Sequence, residues 1–192
     1  LQGNLHNITI ESCHFETNAF NKNGMIATKI KAPAFVENLT ISNCTFKNTT
    51  TRGCGMLFEA VAPKDDSSHK NPELFNIKIV NSEILGVSTS LISNRIEYNI
   101  KISNVLVRNV DIDKNKSNHN VNVNSCLLAS TIVGSNIQIF DVEMKDISII
   151  GFQSFYLFTR SGIDISNKSC VENITVEDIQ FKYCDKLRFK DS

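Results

Sequence analysis

Tryptophan is absent from this 192-residue chain, and it holds three tyrosines and three prolines. An aromatic platform for stacking sugars or bases is therefore poorly supplied. Charge of one sign is also lacking. Twenty basic and twenty acidic residues cancel, which argues against nucleic acid or an anionic membrane as a main partner. There is no apolar run of about 18 residues, so no transmembrane helix is expected. The six cysteines, at 13, 44, 54, 126, 170 and 184, contain no C-x-x-C pair, which disfavours a zinc site. No G-x-S-x-G, P-loop or G-x-G-x-x-G motif occurs, and no cofactor is expected. The chain opens on Leu1 without a basic region or a signal-type apolar stretch.

What is abundant is asparagine and isoleucine, 23 of each. They fall into a repeated pattern. Asn38–Phe46 reads N-L-T-I-S-N-C-T-F. Alternation puts Leu39 and Ile41 on one side of a strand and Thr40 and Ser42 on the other. Asn43 interrupts, then Cys44 and Phe46 resume. Asparagine suits such a corner because it tolerates positive φ better than most residues with a side chain. The same pattern recurs at Asn7–Phe15, Asn76–Ile84, Asn99–Val107, Asn136–Met144 and Asn173–Phe181. Successive copies start 31, 38, 23, 37 and 37 residues apart. Repeats of about 20–50 residues indicate solenoids, propellers or arrays. Strand signals with asparagine corners point to an all-β, single-stranded parallel β-helix of about six coils, with like positions stacked about 4.8 Å apart. The first-position asparagines are expected to form a hydrogen-bonded ladder.

The coils are expected at about 7–37, 38–75, 76–98, 99–135, 136–172 and 173–192, the last incomplete. Each offers three short strands: the I-x-I strand, the strand after the Asn/Asp corner, and a G/S-apolar strand. The third strands are Gly24–Ala27, Gly55–Phe58, Ser90–Ile92, Ser125–Leu128 and Ser154–Phe158. The long intervals are absorbed by loops at 63–72, 113–124 and 161–170, all on one edge, where a solenoid carries specific contacts. Repeats run almost end to end without a polar cap, so residues 1–192 are expected to be one segment of a longer chain.

Cys13 and Cys44 share a repeat position. They are expected to stack in the core, as an apolar thiol ladder in preference to a bridge, because parallel side chains are poorly angled for a disulfide. Cys170 and Cys184, 14 residues apart near corners, are the more natural bridge. Seven N-x-S/T sequons occur, at Asn7, Asn38, Asn43, Asn48, Asn115, Asn167 and Asn173. The first-position asparagines would be hidden in the ladder. Asn115 and Asn167 in polar loops, then Asn48 at a corner, are the glycosylation candidates. His6, His14, His69 and His119 lack metal-ligand spacing and read as surface residues.

The three-strand coil with asparagine corners resembles the right-handed parallel β-helix of the pectin-lyase-like superfamily. Phe15-Glu16-Thr17-Asn18 with Gly24-Met25-Ile26-Ala27, and Phe46-Lys47-Asn48-Thr49 with Gly55-Met56-Leu57-Phe58, are similar to the repeats of polymorphic outer-membrane and adhesin-like proteins, including protist surface proteins. Met stands where that repeat has its second glycine. The resemblance implies architecture more than function. The polygalacturonase-like branch would bring N-T-D, a paired D-D on a strand, G-H-G and R-I-K, and none is present in that setting. Asp65-Asp66 lies in the 63–72 insertion, whereas a glycosidase holds two carboxylates rigidly. The pectate-lyase-like branch would use acidic calcium ligands and an arginine. Asp111 and Asp113 alternate correctly for one strand face, with Arg108 and Arg95 nearby.

The function expected from these features is a non-enzymatic structural or adhesive segment of a large extracellular or cell-surface protein. Its partners would be neighbouring coils or domains of the same chain, and proteins or glycans at the cell surface. A carbohydrate-active or carbohydrate-binding β-helix is the first alternative. A scaffold subunit inside a larger assembly is the second.

Overall fold

A computed structural model describes residues 4–17, 27–31, 35–48, 58–62, 73–86, 93–96, 100–113, 124–126, 129–134, 136–151, 154–156, 160–163, 169–183 and 186–187. Every regular element among them is a strand. The main sheet contains β1 (Leu5–Glu11), β2 (His14–Thr17), β4 (Phe35–Ser42), β5 (Thr45–Asn48), β7 (Glu73–Gly86), β9 (Ile100–Asp113), β12 (Ile137–Ile150) and β15 (Cys170–Lys182). A second sheet contains β3 (Ala27–Lys31), β6 (Phe58–Ala62), β8 (Ser93–Ile96), β11 (Ala129–Gly134) and β14 (Arg160–Ile163). A third contains β10 (Asn124–Cys126), β13 (Ser154–Tyr156) and β16 (Lys186–Leu187). The main sheet runs in the order β1-β4-β7-β9-β12-β15, with β2 and β5 continuing β1 and β4. The other two run β3-β6-β8-β11-β14 and β10-β13-β16. All pairings are parallel. Each pass of the chain thus adds one strand to the main sheet in sequence order, an all-parallel arrangement compatible with a β-helix.

β7, β9, β12 and β15 are long because their corners do not end them, whereas the corners at Ser12 and Asn43 separate β1 from β2 and β4 from β5. Asn7, Asn38, Asn76, Asn104, Asp141 and Asn173 all have φ between 53° and 57°. Five residues further on, Ser12, Asn43, Asn81, Asn109, Asp146 and Asp178 have φ between 49° and 54°. Left-handed backbone disfavours β-branched residues, and Asn and Asp are the side chains that tolerate it best. Each such residue inserts one extra outward position into the alternation. In β12 the buried residues are Ile137, Ile139, Val142, Met144, Ile147 and Ile149. Their gaps are two, three, two, three, two. The underlying unit is five residues: an Asn/Asp-type corner, then apolar, outward, apolar, outward. Neighbouring strands place their corners at the same level, so the ladder continues without losing register, unlike a one-sided bulge.

This five-residue unit changes the register expected from the sequence. The nine-residue copies align Asn76 with Asn99. In the structure Ile77 faces Val105 and Ile79 faces Val107, so Asn76 stands beside Asn104, 28 residues on. The copies also align Asn136 with Asn173, whereas Val142 faces Ile174 and Asn173 stands beside Asp141, 32 residues back. Both differences are one five-residue unit. A one-residue slip would turn every apolar side chain outward, but a five-residue slip maps the pattern onto itself and keeps the core intact.

The core is a set of inward rows. Leu39, Ile77, Val105 and Val142 form one, and Ile41, Ile79, Val107 and Met144 the next, all essentially inaccessible. Fully burying each such side chain contributes roughly 1.5–3 kcal/mol. The expected G/S-apolar strands are described in part. Residues 24–26, 55–57 and 90–92 lie outside the described residues, and Ala27 and Phe58 open strands of the second sheet. Ser125-Cys126 and Ser154–Tyr156 are strands, paired with each other in the third sheet. β11 and β14 were not anticipated, and β14 falls at the start of the expected 161–170 loop.

Candidate functional site

The most organised polar feature is the pair of corner columns. Asn38 Nδ2 donates to Asn7 Oδ1 at 2.8 Å, Asn76 Nδ2 to Asn38 Oδ1 at 2.6 Å, and Asn104 Nδ2 to Asn76 Oδ1 at 3.3 Å. Asn173 Nδ2 donates to Asp141 Oδ1 at 3.1 Å. In the second column Asn109 Nδ2 donates to Asn81 Oδ1 at 2.9 Å. The expected ladder exists, but its fourth member is Asn104. Every one of these bonds runs from the later strand to the earlier one, so the columns are polarised. Asp141 accepts without donating, which makes it a break in the one-way amide chain.

Behind the second column lies a set of small donors. Cys13 Sγ reaches the carbonyl of Glu11 at 3.2 Å, and Cys44 Sγ that of Ser42 at 3.2 Å. Ser82 Oγ donates to the carbonyl of Val80 at 2.9 Å and accepts from the Cys44 N–H at 3.2 Å. In each case a residue just past the corner caps the carbonyl just before it. Two of these carbonyls also accept a backbone N–H, Ser42 from Ser12 at 3.0 Å and Val80 from Asn43 at 3.2 Å, so the short S–H or O–H is a second donor to the same oxygen. Cys13 and Cys44 are free thiols, in line with the stacked pair expected, though they act as donors rather than as purely apolar fillers.

Charged side chains decorate the outer rows as pairs between passes. Lys47 Nζ meets Glu16 Oε1 at 2.9 Å, with His14 Nε2 3.8 Å from Glu16 Oε2. The Lys47 hydrogen bond, then its charge, holds the Glu16 carboxyl below its ordinary value. Lys145 Nζ meets Glu177 Oε2 at 2.9 Å, and that bond holds the ammonium above its ordinary value. His6 Nδ1 lies 3.2 Å from Glu37 Oε2 and packs edge-on against Phe35. An outward aromatic patch was not anticipated. Phe75 is 41% exposed, and Phe75 and Phe140 flank the buried Ser103 in one row. Lys101 Nζ sits 5.6 Å from the Phe140 ring centroid.

Asp111 is exposed and faces Glu83 and Ser148 across the ladder. Asp113, two residues on, lies between Leu85 and Ile150. Neither arginine is gathered onto this row. Arg108 Nε is 3.5 Å from Asp146 Oδ2, and Arg95 belongs to β8 in the second sheet. Among the described residues, no group of three or more His, Cys, Asp or Glu is arranged to hold a metal ion. Asp65, Asp66, His69, His119, Asn115 and Asn167 lie outside the described residues. Asn48 ends β5, facing Thr17 and Gly86. Cys170 opens β15, half-buried opposite Gln138, and Cys184 lies outside the described residues. Compared with protein-family models, curated proteins and solved structures, the chain matches none.

Proposed function

We propose that the chain is a right-handed, single-stranded parallel β-helix of pectin-lyase-like architecture, serving as a non-enzymatic structural or adhesive rod in a large extracellular or cell-surface protein. The observation that carries this reading is the continuity of the corner columns. Six successive strands of the main sheet place a positive-φ residue at the same two levels, and Asn or Asp fills eleven of those twelve sites. Residues repeated in this way serve stacking. A column of amides and an unbroken parallel ladder resist bending and local opening, as a mechanical element requires. Contacts with partners are assigned to the segments at 63–72, 113–124 and 161–170.

The compartment is tested by mass spectrometry of native protein, without reduction and then after glycosidase treatment. Glycans at Asn115, Asn167 or Asn48, or a Cys170–Cys184 bridge, are the expected result. Asn38 should be bare, because its amide already donates to Asn7 and a glycan would displace that bond. Unmodified asparagines and six free thiols would overturn the extracellular reading in favour of an intracellular scaffold.

A further inference from the structure

We propose that Asn43 is the acceptor of an N-linked glycan, and that the sugar projects into solvent from the corner between β4 and β5. The inference rests on the extracellular reading above and names a site within it. Asn43-Cys44-Thr45 is an N-x-S/T sequon. It lies between β1–β2 on one side and β7 on the other, so neighbouring strands flank it on both sides. Asn43 is exposed, Cys44 buried and Thr45 half-buried. Cys44 and Phe46 belong to the core, and alternation turns Thr45 outward between them. The acceptor amide and the hydroxyl two residues on therefore both stand on the solvent side, while the residue between them anchors the corner.

The contrast with Asn38, a sequon asparagine five residues earlier, shows what sets this site apart. A glycan is attached through Nδ2. Asn38 donates through that atom to Asn7 at 2.8 Å and accepts from Asn76 at 2.6 Å, so a sugar there would have to enter a closed stack of carboxamides. In the second column the amide bond runs from Asn109 to Asn81, and among the described residues the Asn43 carboxamide makes none. Its neighbour on the β1 side is Ser12, the one corner of the twelve that is neither Asn nor Asp. A hydroxymethyl group leaves more room there than a carboxamide. The backbone of the sequon is pinned: the Asn43 N–H donates to the Val80 carbonyl at 3.2 Å, that of Cys44 to Ser82 Oγ at 3.2 Å, and that of Thr45 to the Cys13 carbonyl at 2.9 Å. These bonds tie three passes together, so transfer belongs before they close. In that step Asn43 Nδ2 forms a bond to the anomeric carbon of a lipid-pyrophosphate-linked oligosaccharide. The bond from that carbon to the pyrophosphate oxygen breaks, the lipid pyrophosphate leaves, and the amide loses one proton. Folding then sorts the products. A glycan on Asn43 stays outside the closed corner, whereas one on Asn38 obstructs the stack.

The test is peptide mapping of the 192-residue chain secreted from a eukaryotic cell behind a cleaved signal peptide, alongside the native protein. Glycosidase treatment in heavy-oxygen water marks each asparagine that carried a glycan. The secreted, folded chain should be marked at Asn43 in most molecules and unmarked at Asn38. Thr45→Ala should abolish the mark at Asn43 with an unchanged circular dichroism spectrum and thermal midpoint, and Thr45→Ser should keep it. If Thr45→Ala perturbs the fold, Asn43→Asp removes the acceptor while keeping a side chain suited to positive φ, and the mass should fall by the same glycan. A secreted chain unmarked at Asn43, or a mark that survives Thr45→Ala, would overturn the proposal. Bare asparagines throughout the native protein, with Asn43 marked in the secreted chain, would overturn the extracellular reading alone.

Discussion

The main sheet and the two smaller sheets are built by the same passes of one chain, yet they differ in order. In the main sheet β7, β9 and β12 are 14 residues each, and every pairing keeps register through its corners. In the smaller sheets the described strands run from two to six residues. There the β11–β14 pairing shifts register between Ile132 and Gly134. The main strands carry positive-φ corners five residues apart, most of them Asn or Asp. Corners that recur at a fixed interval let each strand bend without breaking step with its neighbours.

The most severe way to break the well-ordered side of that comparison is to charge an inward row. Ile41 is fully buried between Ile10 and Ile79. Ile41→Asp should abolish the cooperative thermal transition, because an unpaired buried carboxylate removes on the order of 4–5 kcal/mol, comparable to a whole domain's stability. A variant that keeps its transition would contradict the row assignment. A second, smaller perturbation separates the two contributions of a corner. Asn76→Val should lower stability in urea by about 2–4 kcal/mol, from left-handed strain on a β-branched residue together with two lost amide bonds. Asn76→Gly removes only the bonds and should lower it by about 1–2 kcal/mol. Equal losses in the two variants would mean that the positive φ carries no cost.

Amide hydrogen exchange sharpens the contrast without mutation. The interior amides of β9 and β12 should exchange only with global unfolding, and those of β10 and β16 by smaller openings. Uniform protection would erase the difference between the sheets. The smallest effect concerns Glu16, on the outer face of β2. Lys47 depresses its carboxyl in the folded state, so its contribution is present above the unfolded value and lost as pH falls through the folded one. The thermal midpoint should show a slight acid-side decline, below the ordinary carboxyl value of 4.5, that disappears in Glu16→Gln. An identical acid profile in that variant would show that the Lys47 pair is energetically silent.

Much of the main sheet is legible in the residues. Alternation of Leu39, Ile41, Cys44 and Phe46 around Asn43 identifies the inward row, and Asn7, Asn38 and Asn76 identify the amide column. Register is less legible because the repeating unit is shorter than the copies suggest. Asn99, Asn104 and Asn109 are five apart, as are Asn136, Asp141 and Asp146, and that spacing is the signal that reveals the five-residue unit. Any slip by five preserves the apolar pattern, so hydrophobic periodicity cannot choose between Asn76–Asn99 and Asn76–Asn104. β11 and β14 escape for the opposite reason: A-S-T-I-V-G and R-S-G-I are too short to show a period. The outward row of Phe75 and Phe140 has no sequence signal, because only the register brings those residues together around Ser103.

Register is the central claim, and methyl–methyl nuclear Overhauser spectroscopy of the isoleucine- and valine-labelled protein tests it most directly. Strong cross-peaks should join Ile77 to Val105, Ile79 to Val107 and Val142 to Ile174, the pairs that face each other on adjacent strands. Cross-peaks joining Ile77 to Ile100, Ile79 to Ile102 and Ile137 to Ile174 instead would restore the 23- and 37-residue intervals of the nine-residue copies. The paired corner columns would then be wrong, and the polarised ladder would fall with them.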